Sequence, residues 1–252
     1  MTQRRLGRPL IRLETVDSTN RAAAELAGQG AAEGTVVVAE VQTGGRGRLG
    51  RSWSSPRGGL WLTTILRPPA TAGETVATLA LVGGVAVAEA VGRLTSWLDQ
   101  PPEVRVKWPN DVHLNGRKLA GILGQVCPPD AVLLGIGLNL NVSPEELPFD
   151  VRSLATSLGR EAGRFIDPSA SLEVLFAELS HWYGRWLDEG FAPIRRRCLD
   201  LSATIGRPVR VSGPDLELEG EAVDIMDDGA LLVRTGGRDT VVRSGDVSVR
   251  TQ

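Results

Sequence analysis

The sequence predicts an α+β fold: a domain built on a mixed sheet, followed by a small all-β barrel. Three observations predict it. Runs rich in β-branched residues, separated by glycine-rich or polar turns, recur between residues 35 and 140. Two long helical patterns, 74–98 and 169–187, provide apolar faces to cover a sheet. After Thr204 the texture changes to short alternating runs, with turn dipeptides between them.

Taken in order, Asp17 or Ser18 can cap a helix through Ala22, Ala23, Ala24 and Leu26, which Gly28 and Gly30 stop. Residues 35–40 (TVVVAE) form a strand, 42–57 a loop and 60–66 (LWLTTIL) a second strand. Small apolar residues dominate 74–98, as expected for a helix packed closely on a sheet, and Pro101-Pro102 prevents its continuation. Strands follow at 104–108, 119–126 and 131–140, with polar turns at 109–111 and Asn115-Gly116. In 169–187, Leu172, Leu175, Phe176, Leu179, Tyr183, Trp186 and Leu187 fall at helical steps and read as core. The barrel runs are 208–211, 216–225, 231–234 and 241–249. Turns fall at Ser212-Gly213-Pro214, Asp227-Asp228-Gly229, Gly236-Gly237 and Ser244-Gly245. The expected domains are 1–202 and 203–252.

Composition narrows the function. A net charge of -2 gives no overall attraction to nucleic acid or an anionic membrane, so any basic function must be local. Two distant cysteines, Cys127 and Cys198, make neither a disulfide framework nor a Cys-type zinc site. Residues 1–13 lack the apolar run of a secretory signal, and the apolar stretch 75–88 falls short of the ~20 residues that span a bilayer. A cytoplasmic protein is expected. His113 and His181 lack metal-ligand spacing, and no Ser-His-Asp or Cys-His pairing stands out.

The most informative segment is 42–53, QTGGRGRLGRSW, with four glycines, three arginines and a tryptophan. It lacks the Gly-Lys-Ser/Thr ending of a Walker loop and does not enter a helix. Glycines let backbone close over a ligand, and guanidinium groups offer forked donors to carboxylate and phosphate oxygens. Composition alone leaves two readings open, a ligand loop and a solvated basic loop of the Arg-Gly kind. Residues 106–112 (VKWPNDV) then put a cation, an amide and a carboxylate at a strand end, and Lys118 follows seven residues after Asp111.

Five motifs occur in sequence: Asp17-Ser18-Thr19-Asn20, GRGRLGR at 45–51, KWPNDV at 107–112, KLAGIL at 118–123 and GIGLNLN at 135–141. In identity and order they resemble the motifs of biotin–protein ligases. The resemblance covers most of the chain. It implies a catalytic domain like those of class II aminoacyl-tRNA synthetases, with a C-terminal SH3-like domain. It also implies activation of biotin by ATP to biotinyl-AMP and transfer to a lysine of a biotin carboxyl carrier protein or domain of a biotin-dependent carboxylase. Magnesium would be held chiefly through the ATP phosphates, with no protein metal cage. Only 17 residues precede Ser18, so the monofunctional form without a DNA-binding winged helix is expected, as a monomer or homodimer.

The same resemblance assigns roles. Ser18, Thr19 and Asn20 would contact the ureido ring; Gln42 and the backbone of Gly45, Arg46 and Gly47 would bind biotin and the acyl phosphate. Arg48 and Lys118 would neutralise developing charge as the catalytic pair. Arg51, Trp53, Lys107, Asn110 and Asn139 would face the nucleotide, with Trp53 stacking on adenine. Asp111 is read as fixing the 109–110 turn in preference to positioning the acceptor amine. A lipoate–protein ligase is the nearest alternative; a nucleic-acid-binding module and a non-catalytic biotin binder are others.

Overall fold

The computed structural model describes residues 6–69, 73–213 and 216–249. The first sheet has seven strands: β1 (Leu10–Val16), β2 (Val36–Gln42), β3 (Leu60–Leu66), β4 (Val104–Lys107), β5 (Asp111–Leu114), β6 (Arg117–Cys127) and β7 (Ala131–Leu138). Their spatial order is β1-β2-β3-β7-β6-β5-β4. Among the described residues the β1–β2 pair is parallel and the other pairs of this sheet are antiparallel, so the sheet is mixed as expected.

Both faces are covered, which is why the central strands read as unbroken apolar runs. Side-chain alternation assigns each residue to a face. Val36 and Val38 join the large core under α2 (Gly73–Thr95), α4 (Pro168–Glu189) and α5 (Ala192–Asp200). Val37, Ile65, Ala131 and Leu133 face the opposite way, against Ala23 and Ala27 of α1 (Thr19–Gly28). A short helix, α3 (Leu158–Ala162), follows β7. The segment Thr75–Thr95 is long and apolar enough to cross a bilayer, yet it lies mostly inside this core.

The second sheet is antiparallel, order β11-β10-β9-β8-β12. Its strands are β8 (Pro208–Gly213), β9 (Leu216–Ile225), β10 (Leu231–Thr235), β11 (Arg238–Val242) and β12 (Asp246–Val249), the SH3-like unit expected. The run 241–249 divides at Ser244-Gly245, where Gly245 has φ 142°. The turn expected at Ser212-Gly213-Pro214 extends past Gly213 to a proline outside the described residues.

The two sheets meet along β4. Val106 donates its N–H to Leu201 O (2.8 Å) and accepts from Ala203 N–H (2.9 Å). Trp108 donates its N–H to Thr204 Oγ1 (3.1 Å) and its indole Nε1–H to Gly229 O (2.9 Å). On the other side Arg195 of α5 grips Asp224 through both carboxylate oxygens (2.8 and 2.6 Å).

The sequence reading missed β1, β5, α3 and α5. Strand β1 is a half-exposed edge whose Arg12 and Glu14 break up the apolar signal, and α5 carries three consecutive arginines. Helix α2 stops at Thr95 instead of 98, where the Thr95 hydroxyl turns back to Val91 O (2.8 Å). Ser18 occupies the N-cap of α1, but neither expected side chain caps the helix: Ser18 makes no capping bond, and Asp17 Oδ1 accepts from the adjacent Ser18 N–H instead.

Candidate active site

The site begins with a row of residues across five strands. Register places Lys107 opposite Asp111, Asp111 opposite Gly121, Gly121 opposite Gly137 and Gly137 opposite Trp61. Residues paired in this way share a face. It is the face covered by α1, whose Asn20 comes up against Gly135 of β7, while Gly121 and Gly137 meet Trp53 instead. A Cβ at Gly137 would lie 2.5 Å from Trp53 Nε1, and one at Gly121 would lie 2.8 Å from its Cζ3. Both glycines are therefore required by the close approach of the indole. Their motifs stood out in the sequence, but these two roles did not, because they depend on register.

The arginine loop is a narrow hairpin. Trp53 N–H donates to Gly45 O (2.9 Å), Gly47 N–H to Arg51 O (2.8 Å), and a 3₁₀ turn at Arg48–Gly50 closes the tip. A Cβ on Gly45 would meet Trp53 O at 2.5 Å, so this glycine first serves the hairpin. The loop thereby brings Arg46, Gly47, Arg48 and Arg51 to one side of a cavity of about 130 Å³. Ser18, Thr19, Asn20, Gln42, Trp53, Asn110 and Lys118 line the same cavity. Gly45 lies in an adjoining groove; Lys107 and Asn139 are not among the lining residues.

At the α1 end the surroundings are neutral and polar. Gln42 Oε1 accepts from Thr19 N–H (2.8 Å) and Thr19 Oγ1 (3.0 Å), and its Nε2 donates to Ser55 Oγ (2.8 Å). Gln42 thus ties the start of α1 to both arms of the loop. The Thr63 hydroxyl lies 2.6 Å from Asn20 Oδ1 and 2.9 Å from Thr19 Oγ1. That leaves Asn20 Nδ2 buried without a partner, an unsatisfied donor beside the cavity.

Charge concentrates at the other end. Lys118 Nζ lies 2.8 Å from Asp111 Oδ1 and 5.1 Å from the centre of the Trp53 ring. Its backbone is fixed on both sides: Lys118 N–H donates to Leu154 O (2.8 Å), and Thr156 N–H to Lys118 O (2.9 Å). Burial lowers the pKa of Lys107; Asp111 opposes this, and Lys118 adds to it. Burial likewise lowers Arg48, against the pull of Asp246 and Asp111. Arg48 Nη1 reaches 3.5 Å from Asn110 Oδ1, while Asn110 Nδ2 donates to Ile122 O (2.9 Å).

Outside the cavity lining, buried Asn139 donates Nδ2 to Thr156 O (3.1 Å), and its Oδ1 has no partner; the indole Nε1 of Trp53, which does line the cavity, has none either. Among the described residues no group of three or more His, Cys, Asp or Glu could hold a metal ion. One lining residue was invisible in the sequence reading: Asp246, the first residue of β12, which pairs with Arg51. No local motif could have placed it there.

A glycine-cleared sheet face beneath an arginine hairpin, with the small β-unit alongside, defines the class. Residues 13–142 match the biotin/lipoate A/B protein ligase family and residues 204–250 the biotin protein ligase C terminal domain, so the chain belongs to that ligase family. Its relatives place it among the biotin ligases. It is 36% identical over 242 residues to a biotin–[acetyl-CoA-carboxylase] ligase of Paracoccus denitrificans, covering 93% of this chain and 98% of that one. It is 33% identical over 249 residues to a bifunctional ligase/repressor of Bacillus subtilis, covering 97% and 75%. Its fold is similar to that of the biotin protein ligase from Aquifex aeolicus in complex with biotin and ATP, with TM-score 0.84, 30% identity and coverage of 97% and 100%.

Proposed function

We propose that the chain condenses biotin with ATP to biotinyl-AMP and transfers the biotinyl group to a lysine on the carrier protein of a biotin-dependent carboxylase. In the first step a biotin carboxylate oxygen attacks the α-phosphorus; the bond to the β-phosphate breaks and pyrophosphate leaves. In the second the lysine amine attacks the acyl carbon, loses a proton, and AMP departs with the electrons of the acyl–oxygen bond.

One observation carries this reading: a single cavity is lined both by neutral hydrogen-bonding groups, Ser18, Thr19, Asn20 and Gln42, and by four cations, Arg46, Arg48, Arg51 and Lys118. A ureido ring needs both donors and acceptors, which Ser18, Thr19 and Asn20 supply, with Asn20 Nδ2 already lacking a partner. Bringing a carboxylate against a triphosphate requires cations where the two meet, and charge stabilisation of this kind is usually the largest catalytic contribution. Lys118 and Arg48 fill that role. Trp53 stacks on adenine, Asn139 Oδ1 accepts from its amino group, and Lys107 and Arg51 hold the phosphates. Gln42 and Gly45 act mainly by shaping the hairpin, and Asn110 by tying its turn to β6.

Magnesium, the usual partner of ATP, arrives on the phosphates as part of the substrate; among the described residues no cluster of His, Cys, Asp or Glu forms a cage for it. The carrier protein is the acceptor, DNA is not a partner, the location is cytoplasmic, and the active species is a monomer or homodimer. The test is biotin-dependent exchange of labelled pyrophosphate into ATP, followed by transfer to a carrier domain. Exchange supported by lipoate and not by biotin would overturn the assignment.

A further inference from the structure

A cavity that must accept a carboxylate and a triphosphate contains two carboxylates of its own, Asp111 and Asp246. Asp111 is matched by Lys118 on the neighbouring strand. Asp246 is different in kind. It belongs to the second sheet, where the ladder pairing Asp246 with Ser212 and Val247 with Val211 fixes its position. That sheet is itself bonded to the first through Trp108 and Thr204. Its carboxylate Oδ2 meets Nη2 of Arg51, just past the hairpin tip, so the ion pair joins a loop of one sheet to a strand of the other beside the cavity.

The pair is also weak enough to exchange. Arg51 is 67% and Asp246 34% exposed, and only one guanidinium nitrogen is engaged. A phosphate presents several oxygens and more charge to the same fork, and so outcompetes a singly held carboxylate. The field of Asp246 reaches Arg48 and Lys107 as well, so this one negative charge works against every phosphate the cavity receives.

We propose that Asp246 is a positioning residue: it clasps Arg51 and holds the arginine hairpin over the empty site, then gives Arg51 up to the nucleotide phosphates when ATP binds. The proposal rests on the adenylating reading above and adds a role for the second sheet within it. Asp246 itself touches no reacting atom. It sets the cost of ATP entry and the order of the loop before entry.

Asp246→Asn removes the charge and keeps the shape. In the substrate-free full chain, amide exchange over residues 46–52 should quicken. Calorimetric binding of inorganic tripolyphosphate should tighten about two- to fivefold, the scale of an exposed ion pair, and KM for ATP should fall by the same factor with KM for biotin unchanged. Asp246→Glu, which keeps the charge, should behave as wild type in all three. Unchanged exchange and unchanged tripolyphosphate affinity in Asp246→Asn would overturn the clasp; so would weaker tripolyphosphate binding, which would make Asp246 a supporter of the nucleotide. Exchange and tripolyphosphate binding need no catalysis. A wild-type enzyme that fails to exchange pyrophosphate with biotin would therefore defeat the ligase reading while these two measurements still judge the clasp.

Discussion

Single atoms in this site make demands that can be measured. In the reaction proposed above, Lys118, held by backbone bonds on both sides, is the group assigned to the charge that develops between carboxylate and α-phosphate. Replacing it with alanine should lower the rate of adenylate formation by about 10²–10³, the usual loss for one preorganised charge-stabilising group, in a single-turnover assay. Lys107 makes a different prediction, through pH. Its pKa is lowered below 10.5, chiefly by burial, so its positive charge is lost earlier as pH rises than that of an ordinary lysine. The fall of kcat/KM for ATP on the alkaline side should therefore begin below the ordinary lysine range, and Lys107→Arg should move it upward. Gly137→Ala would drive a methyl into the Trp53 indole. KM for ATP should rise about tenfold, consistent with overpacking costs of about 1–3 kcal/mol, and the Trp53 fluorescence should change.

Among the elements, the hairpin between β2 and β3 decides access. The cavity it borders, about 130 Å³, is smaller than the roughly 300–1,000 Å³ of sites that enclose drug-sized ligands, so the loop must shift to accommodate both substrates. Amide exchange over residues 44–53 should slow when biotin and ATP are both present; equal exchange with and without them would show that the loop does not close over the adenylate. The comparison with the sequence is instructive at this scale. The cluster Ser18, Thr19 and Asn20 and the loop arginines were legible because their chemistry is local. Strand β3 was legible to the residue, since both its faces are buried. The edge strand β1 was not, because half of it faces solvent. Neither Gln42's bonds to Thr19 and Ser55 nor the stacking of Trp53 over Gly121 and Gly137 could be read locally. They exist only once strands are in register.

At the level of the whole molecule, the two sheets are coupled through the segment that carries KWPND. Trp108→Phe would leave the buried Gly229 carbonyl without its indole donor, a loss of about 1–3 kcal/mol. The Tm should fall by about 2–10 °C. The same variant should also lower KM for ATP, because the second sheet would then hold Asp246 less firmly against Arg51; a lower Tm with unchanged KM would confine Trp108 to stability.

The seam along β4 also bears on how such an enzyme could be recombined. Val106 bonds to Leu201 and Ala203 through its backbone, so that junction tolerates many side chains, whereas Trp108 reaches Thr204 and Gly229 at particular atoms. A chimera that exchanges only residues beyond 203 for those of a relative would keep the first set of contacts and gamble on the second. Exchanging 104–108 together with the C-terminal segment would carry both halves of the joint, and such hybrids should express and remain folded where the simple swap does not.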